Sequence, residues 1–304
     1  MLWYHTWVLA DDKQVDTMAH FSIGCAVWAY KDWLGELFPP GSKSADFLAL
    51  YSRRLTTVEG NTTFYATPKA EVVQRWATES PETFRFCFKL PREISHAGPL
   101  ALQVEPTRAF IERMAGLGER LGPFFLQLPP GYTPAQIDDL ERWLAAWPRE
   151  RQLAVEVRHG AWYQPPGEQA LMDLLERYQV GRVVMDVRPL DAGPLPGADE
   201  NLERARDRKP DVSMHPLRSG GVALIRYIGH PIPELNGPLL DEWAERVAGW
   251  LAEGTEVYFF CHCPDERRSP ALCREFQRRL EQLADVPRLP WDTLDTGLQQ
   301  GTLF

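Results

Sequence analysis

Residues 84–90 read FRFCFKL, and this alternation of aromatic and other side chains indicates a β-strand. Successive side chains of a strand point to opposite faces of a sheet. One face, which we assign to the surrounding helices, carries Phe84, Phe86 and Phe88. The other face, which we assign to the interior, carries Arg85, Cys87 and Lys89. Segment 153–158 (LAVEVR) follows the same pattern, with Ala154, Glu156 and Arg158 expected to point inward.

A helical pattern follows each strand pattern, and the pair recurs along the chain. The predicted strands cover 21–27, 56–61, 84–90, 123–128, 153–158, 181–186, 222–227 and 256–261. The predicted helices cover 44–55, 69–80, 107–121, 134–147, 168–178, 239–253 and 269–283, with a weaker one at 199–209. Alternating strands and helices form parallel βαβ units, so eight of them predict a single-domain TIM-like (β/α)8 barrel over residues 20–284. An open doubly wound sheet is the alternative, but no Gly-rich dinucleotide turn follows the first strand.

The two ends of the chain fall outside the predicted barrel. Residues 1–19 are expected to be an N-terminal extension, because Met18 stands just before the first strand. Their apolar run lacks the positive region and the cleavage site of a signal peptide. The Pro-rich residues 285–304 are expected to form an extended, exposed arm.

Charge and cysteine content narrow the classes of function. The net charge is −9, so we expect no general attraction to nucleic acid or anionic membranes, and an anion site must be local. The five cysteines are odd in number and widely spread, which favours a reduced, cytoplasmic protein without a disulfide framework. No segment approaches the roughly 20 apolar residues that a membrane span needs.

Polar residues cluster at the predicted carboxyl ends of the strands, where barrel enzymes place their sites. The inward set comprises Glu59, Asn61, Gln127, Glu156, Arg158, Asp186, Arg226 and His262. Buried charge is costly unless it is paired, so a set this polar needs an explanation. A structural ion network is one, for example Glu156 with Arg226. A ligand site is the other, and for the cluster as a whole it is favoured.

Several motifs together resemble one family. They are VEGNTTFYATPKAEVVQRW (58–76), FRFCFKLPREISH (84–96), FFLQLPPGY (124–132), VEVRHGAWY (155–163), DVRP (186–189), IRYIG (225–229) and FFCHCPD (259–265). The combination resembles the YecE-like proteins, the domain of unknown function 72 family, from about Phe21 to the end. The resemblance implies a barrel related to the TIM fold and no established activity. The family's shared positions fall on Glu59, Asn61, Tyr65, Lys89, His96, Gln127, Glu156, Arg158, His159, Asp186, Arg226 and His262.

The leading hypothesis is an enzyme that acts on a phosphate-bearing substrate, such as a phosphosugar or a nucleic acid. Guanidinium and ammonium groups suit phosphate, and the inward cations Lys89, Arg158 and Arg226 exceed what a neutral ligand needs. The carboxylates Glu59 or Glu156, with Asp186 nearby, supply a base, and His262 or His159 supplies an acid. Further substrate contacts are expected from Asn61, Tyr65, His96 and Gln127.

Cofactor signals are weak. The His, Glu and Asp residues of the set include suitable donors for a divalent metal, but no short metal-binding spacing is present. In the segment Cys261-His262-Cys263, alternation sends both cysteines to one face and the histidine to the other. No nucleotide-cofactor signature, P-loop or G-x-S-x-G motif occurs.

Two rival functions remain. Paired carboxylates also suit a carbohydrate hydrolase. Its sugar platform could comprise Trp28, Tyr30, Trp33, Tyr65 and Trp162, although such aromatics are more often core. The second rival is a non-catalytic adaptor. The last five residues, QGTLF, resemble the Q-x-x-L-F peptide that docks on the sliding clamp. Its partner-binding residues are Gln300, Leu303 and Phe304. Alternatively, this end packs on its own barrel.

Overall fold

The computed structural model describes residues 20–193, 214–264 and 266–294. Three expectations lie outside the described residues: the N-terminal extension 1–19, the weak helix at 199–209 and the docking peptide with Gln300, Leu303 and Phe304.

Eight parallel strands close into a barrel in sequence order. They are β1 (Phe21–Cys25), β2 (Thr57–Gly60), β3 (Arg85–Lys89), β4 (Leu121–Gln127), β5 (Leu153–Glu156), β6 (Gly181–Asp186), β7 (Val222–Ile228) and β8 (Glu256–His262). The barrel closes where β1 pairs with β8, from Phe21 opposite Val257 to Cys25 opposite Cys261. The predicted TIM-like (β/α)8 barrel is confirmed, and the open-sheet alternative is excluded.

Helices connect the strands and cover the outside of the barrel. Those in the described ranges are α1 (Phe47–Tyr51), α2 (Ala70–Glu79), α3 (Arg92–Ser95), α4 (Val104–Met114), α5 (Ile137–Ala145), α6 (Gly167–Arg177), α7 (Gly237–Ala252), α8 (Ser269–Leu280) and α9 (Pro290–Thr293). Trp76 of α2 stacks on Phe86 and Phe88, which places the phenylalanine face of β3 against the helices as predicted. Among the described helices, none combines the length and the apolar character needed to cross a membrane.

A separate apolar cluster fills the inside of the barrel. Its members are Cys87, Phe125, Ala154, Val183, Val222, Leu224, Tyr258 and Phe260. The inward orientation expected for Cys87 and Ala154 is therefore confirmed. The cluster includes Val222 and Leu224 on β7 and Tyr258 and Phe260 on β8, so at least two successive layers of side chains fill the barrel. The polar ends of the strands lie beyond these layers, toward the carboxyl face.

Residues 285–294 pack on the barrel. Leu289 is only 1% exposed, and the backbone N–H of Trp291 donates to the carbonyl of Arg54 at 3.0 Å. The guanidinium of Arg274 lies 4.8 Å from the ring centroid of Trp291. The expectation of an exposed arm is wrong for Val286 and Leu289, which are buried, because burying their apolar side chains outweighs the irregular, Pro-rich character of the segment; Asp285, Arg288 and Leu294 are exposed.

Candidate active site

A cavity of about 490 Å³ opens at the carboxyl ends of the strands. This volume lies in the usual range for small-molecule sites. Six of the predicted polar residues line it: Asn61, Lys89, Gln127, Arg158, Arg226 and His262. They come from β2, β3, β4, β5, β7 and β8 or the loops that follow them, so barrel closure brings together residues that are far apart in sequence.

Arg226 is the centre of a buried ion network. Its Nε and Nη2 atoms donate to the two carboxylate oxygens of Glu59, both at 2.9 Å. Its Nη1 atom donates to Glu156 Oε2 at 2.8 Å. All three residues are buried. The structural pairing of Glu156 with Arg226, considered as an alternative from the sequence, is present.

A second chain of hydrogen bonds runs from Lys89 to Glu156. Lys89 Nζ donates to Gln127 Oε1 at 2.7 Å, and Gln127 Nε2 donates to Glu156 Oε1 at 2.6 Å. Arg158 Nη1 donates to the same carboxylate oxygen at 3.4 Å. Glu156 thus accepts hydrogen bonds from Arg226, Arg158 and Gln127, and Lys89 reaches it through Gln127.

Both buried carboxyl groups stay ionised. Burial alone would raise the pKa of Glu59, but Arg226 and His262 outweigh burial and hold the pKa well below its usual value. For Glu156, burial again acts upward, while Arg226, Arg158 and Lys89 lower the pKa. Because a strongly acidic carboxyl group is a weak base near neutral pH, neither residue is well suited to the base role expected from the sequence.

Lys89 experiences the opposite balance. Burial lowers its pKa to about 8, and the carboxylate of Glu156 only partly compensates. Its ammonium group lies 4.1 Å from the ring centroid of Phe64. The residue is still mostly protonated at neutral pH, so it presents a poorly hydrated positive charge to the cavity.

His262 connects the ion network to the cavity on the β8 side. Its Nε2 atom lies 3.1 Å from Glu59 Oε2. An ionised carboxylate can only accept a hydrogen bond, so Nε2 carries the proton and the tautomer is set by Glu59. The other ring nitrogen, Nδ1, lies 3.9 Å from Glu266 Oε1.

Local backbone geometry places Glu59 and Asn61 around Gly60. A Cβ atom on Gly60 would lie 2.5 Å from a ring carbon of Phe88, so this close approach of β2 and β3 requires glycine. The chain then enters a 3₁₀ turn, Asn61–Phe64. Asn61 Nδ2 donates to Glu59 Oε1 at 2.7 Å, so Asn61 is the third residue, after Arg226 and His262, that hydrogen-bonds this carboxylate.

Comparison with known proteins identifies the family of the chain. The family described as "Protein of unknown function DUF72" matches residues 22–294. The chain belongs to the DUF72 family. It is 33% identical to the UPF0759 protein YecE of Escherichia coli (strain K12) over 287 residues, which is 93% of this chain and 99% of that protein. It is 24% identical to the UPF0759 protein YunF of Bacillus subtilis (strain 168), covering 74% and 82% of the two chains.

Solved DUF72 structures share the fold. A DUF72 family protein from Thermotoga maritima MSB8 superposes with a TM-score of 0.61 at 19% identity, over 86% of this chain and 99% of that one. One from Enterococcus faecalis V583 gives 0.60 at 20% identity, over 88% and 96%. The YecE-like membership expected from the motifs is confirmed. At these identities the superpositions bear on the fold alone.

Asp186 points away from the cavity, so the prediction that its side chain points into the barrel is wrong. Its Oδ2 atom accepts from Trp243 Nε1 of α7 at 2.8 Å, and its carboxylate pairs with Arg188 at 2.8 Å. The inward positions of β6 are Val183, in the interior cluster, and Met185, which lines the cavity. Strand alternation therefore turns Asp186 toward the helices.

Trp28, His159 and Arg85 also lie outside the cavity lining. Trp28 packs edge-on against Trp76 in the outer core, at 5.3 Å between ring centroids, so its sugar-platform role lacks the expected position. His159 caps a 3₁₀ turn by accepting from the Ala161 N–H at 3.1 Å. Arg85 lies at the amino end of β3, which is the end of the barrel opposite the cavity, and donates to the Glu82 carbonyl.

Tyr65 and His96 lie on either side of Phe64, and of these two only Tyr65 lines the cavity. Tyr65 lines the cavity and is 83% exposed. His96 lies one residue beyond α3, with Ser95 Oγ 2.8 Å from its Nδ1 and the Phe64 ring centroid 5.3 Å away. Burial, with Lys89, lowers the pKa of His96, which favours its neutral form.

Sequence reasoning missed Phe64, Glu266 and Cys263 in the cavity lining. Phe64 precedes Tyr65 in the loop after β2, and the rule that barrel sites use the loops after strands could have found it. Cys261 lies in the outer core, as alternation implies, but β8 ends at His262, so alternation no longer governs Cys263. Across the described ranges, no group of three or more His, Cys, Asp or Glu residues is placed to hold a metal ion.

Proposed function

We propose that this DUF72 protein is an enzyme that acts on a phosphate-bearing substrate in the cavity at the carboxyl face of its barrel. The observation that carries the proposal is the placement of Lys89 and Arg158 along one wall of the cavity. Glu156 accepts from Arg226 at 2.8 Å and from Arg158 at 3.4 Å, so its closer ion pair is the one with Arg226. The cavity is therefore polarised. Its β3 to β5 side is cationic, and its β8 side carries His262 and Glu266.

Lys89 suits an anion because of its donors and its burial. Gln127 takes one of the three N–H donors of the ammonium group, and that group lies beside the cavity. A cation that has lost much of its water gains more from an anionic partner than an exposed one does. Arg158, half-buried on the neighbouring wall, offers a planar guanidinium that suits phosphate oxygens.

The acid–base role falls to His262. Glu59 accepts from Nε2 and fixes the ring, which is the arrangement in which a carboxylate orients a catalytic histidine. Nδ1 is then the atom that gives or takes a proton. Glu59 and Glu156 act as ionised partners of Arg226 rather than as bases, because their pKa values are held low.

The carbohydrate hydrolase alternative is less well supported. Glycoside hydrolysis needs a carboxylic acid whose pKa is raised so that it can protonate the leaving group. Arg226 lowers the pKa of both Glu59 and Glu156, and Trp28 lies in the outer core. Of the two residues Trp28 and Tyr65, Tyr65 is the one that lines the cavity and could contact a sugar.

The adaptor alternative rests on the sequence of the C-terminal peptide. Clamp binding by the intact chain, compared with a chain lacking residues 300–304, tests it directly. Micromolar binding that disappears with the peptide supports a role in DNA metabolism. A cytoplasmic location is part of the proposal and is supported by the five cysteines, none of which forms a disulfide.

Calorimetric titration with inorganic phosphate tests the enzyme proposal at its first step. We expect saturable binding by the intact chain and at least tenfold weaker binding by Lys89→Met and by Arg158→Ala. The matched control is Lys69→Met, which removes an exposed lysine just before α2. The proposal fails if phosphate does not bind, or if both cavity variants bind it as the control does.

A further inference from the structure

Tyr65 lies beside the proposed phosphate position. Its ring centroid is 5.3 Å from that of Phe64, and the Phe64 centroid is 4.1 Å from Lys89 Nζ. The distance from the Tyr65 ring centroid to Lys89 Nζ therefore cannot exceed the sum of these two distances. One aromatic ring thus contacts the cation, and the next one reaches the rim of the same cavity.

The exposure of Tyr65 is the second observation. Phe64 is half-buried and contacts Lys89 and His96, whereas Tyr65 is 83% exposed and still lines the cavity. An isolated exposed aromatic residue needs no explanation. This one lies on the rim of a polar cavity, where a flat ligand group could cover its ring and stack on it.

We infer that the phosphate-bearing substrate is a nucleoside phosphate, with its phosphate against Lys89 and Arg158 and its base stacked on Tyr65. The inference rests on the proposed function and narrows its substrate class. A nucleoside phosphate carries a charged phosphate and a planar base on one ribose. In the cavity, the cation Lys89 and the exposed ring of Tyr65 lie near each other in the corresponding way. Every nucleobase has a flat face that can stack on an aromatic side chain, so Tyr65 would favour ligands that carry a base without distinguishing one base from another.

Calorimetry with four probes separates the two ends of the ligand. The probes are inorganic phosphate, ribose 5-phosphate, adenosine 5′-monophosphate and adenosine. For the intact chain we expect the monophosphate to bind roughly 5- to 150-fold more tightly than ribose 5-phosphate, the range that stacking of one base supplies. Tyr65→Ala removes this advantage and leaves ribose 5-phosphate binding unchanged. Tyr65→Phe, which keeps the ring, retains it.

Lys89→Met provides the complementary comparison, because it weakens binding of all three phosphate compounds. Equal affinity for the monophosphate and ribose 5-phosphate overturns the inference and leaves the proposed function standing. An unchanged preference in Tyr65→Ala also overturns it. If no phosphate compound binds the intact chain, the proposed function and the inference fail together. Because Tyr65 is exposed, its variants are expected to unfold at the temperature of the intact chain, which thermal unfolding checks.

Discussion

Glu59 and Arg226 form a bidentate ion pair across the inside of the barrel, with two parallel hydrogen bonds of 2.9 Å. The two residues are 167 positions apart, on β2 and β7, which are separated by β1 and β8 in the closed barrel. Arg226 also reaches Glu156 on β5. The network therefore spans the barrel above its apolar interior cluster, and its Arg226 lines the cavity.

Removing one partner of this network should destabilise the fold. In Glu59→Gln, we expect the free energy of unfolding at pH 7 to fall by about 3–5 kcal/mol, because Arg226 keeps its buried charge and loses its bidentate partner. Urea unfolding measures the change. The matched control, Glu105→Gln, removes an exposed carboxylate that pairs with Arg108 on α4, and it should change stability by less than about 0.5 kcal/mol.

Glu59→Gln should also change how the free energy of unfolding depends on pH in the acid range. The pKa values of Glu59 and Glu156 are lower in the folded state than the usual value near 4.3 that they take on unfolding. Their contribution is therefore present above that value and is lost as the pH falls through the folded values. Between pH 5 and pH 3 the intact chain should lose more stability than Glu59→Gln. Parallel losses in both proteins would contradict the assignment.

The buried charge of Lys89 should lower the stability of the folded chain. Its folded pKa of about 8 is below the value of about 10.5 in the unfolded chain, so burial of the charged form disfavours folding below pH 8. This cost is relieved as the pH rises from 8 to 10.5. We expect Lys89→Met to be at least as stable as the intact chain at pH 7, with the difference shrinking over that range. Urea unfolding at pH 7, 8.5 and 10 tests it against Lys69→Met.

Anion affinity should follow the same titration. Sulfate keeps its charge across this range, so a change in its affinity reports the protein alone. We expect sulfate binding to weaken as the pH rises through about 8 and Lys89 loses its proton. Calorimetry between pH 7 and pH 9.5 measures it. Constant affinity over the interval would exclude Lys89 as the principal anion contact.

Much of this architecture was predictable because its signals are local. The alternation in β3 predicted that Phe86 points outward and Cys87 inward. The eightfold alternation of strand and helix patterns predicted the barrel. The error at Asp186 has a physical cause. Its polarity suggested the cavity, but the strand period and a hydrogen bond from Trp243, 57 positions away, place it under α7. The distances within the Arg226 network likewise depend on barrel closure, which no local pattern encodes.

Asp186→Asn tests this correction. The side chain accepts from Trp243 and Arg188, so we expect the free energy of unfolding to fall by about 1–3 kcal/mol. Phosphate and sulfate affinity should stay within a factor of two of the intact chain, because the residue faces away from the cavity. Calorimetry and urea unfolding on the same preparation give both numbers. A large loss of anion affinity with unchanged stability would return Asp186 to the site.

Cys263 offers a chemical probe of the cavity. It is 3% exposed and lines the cavity beside His262. The other four cysteines are fully buried in the core: Cys25, Cys87, Cys261 and Cys273. We expect iodoacetamide to modify Cys263 first in the native chain and the other four only after unfolding in urea, as read by peptide mass spectrometry. Saturating phosphate should slow the first modification, and Cys263→Ser should abolish it. If another cysteine reacts first, or phosphate leaves the rate unchanged, the ligand does not occupy this part of the cavity.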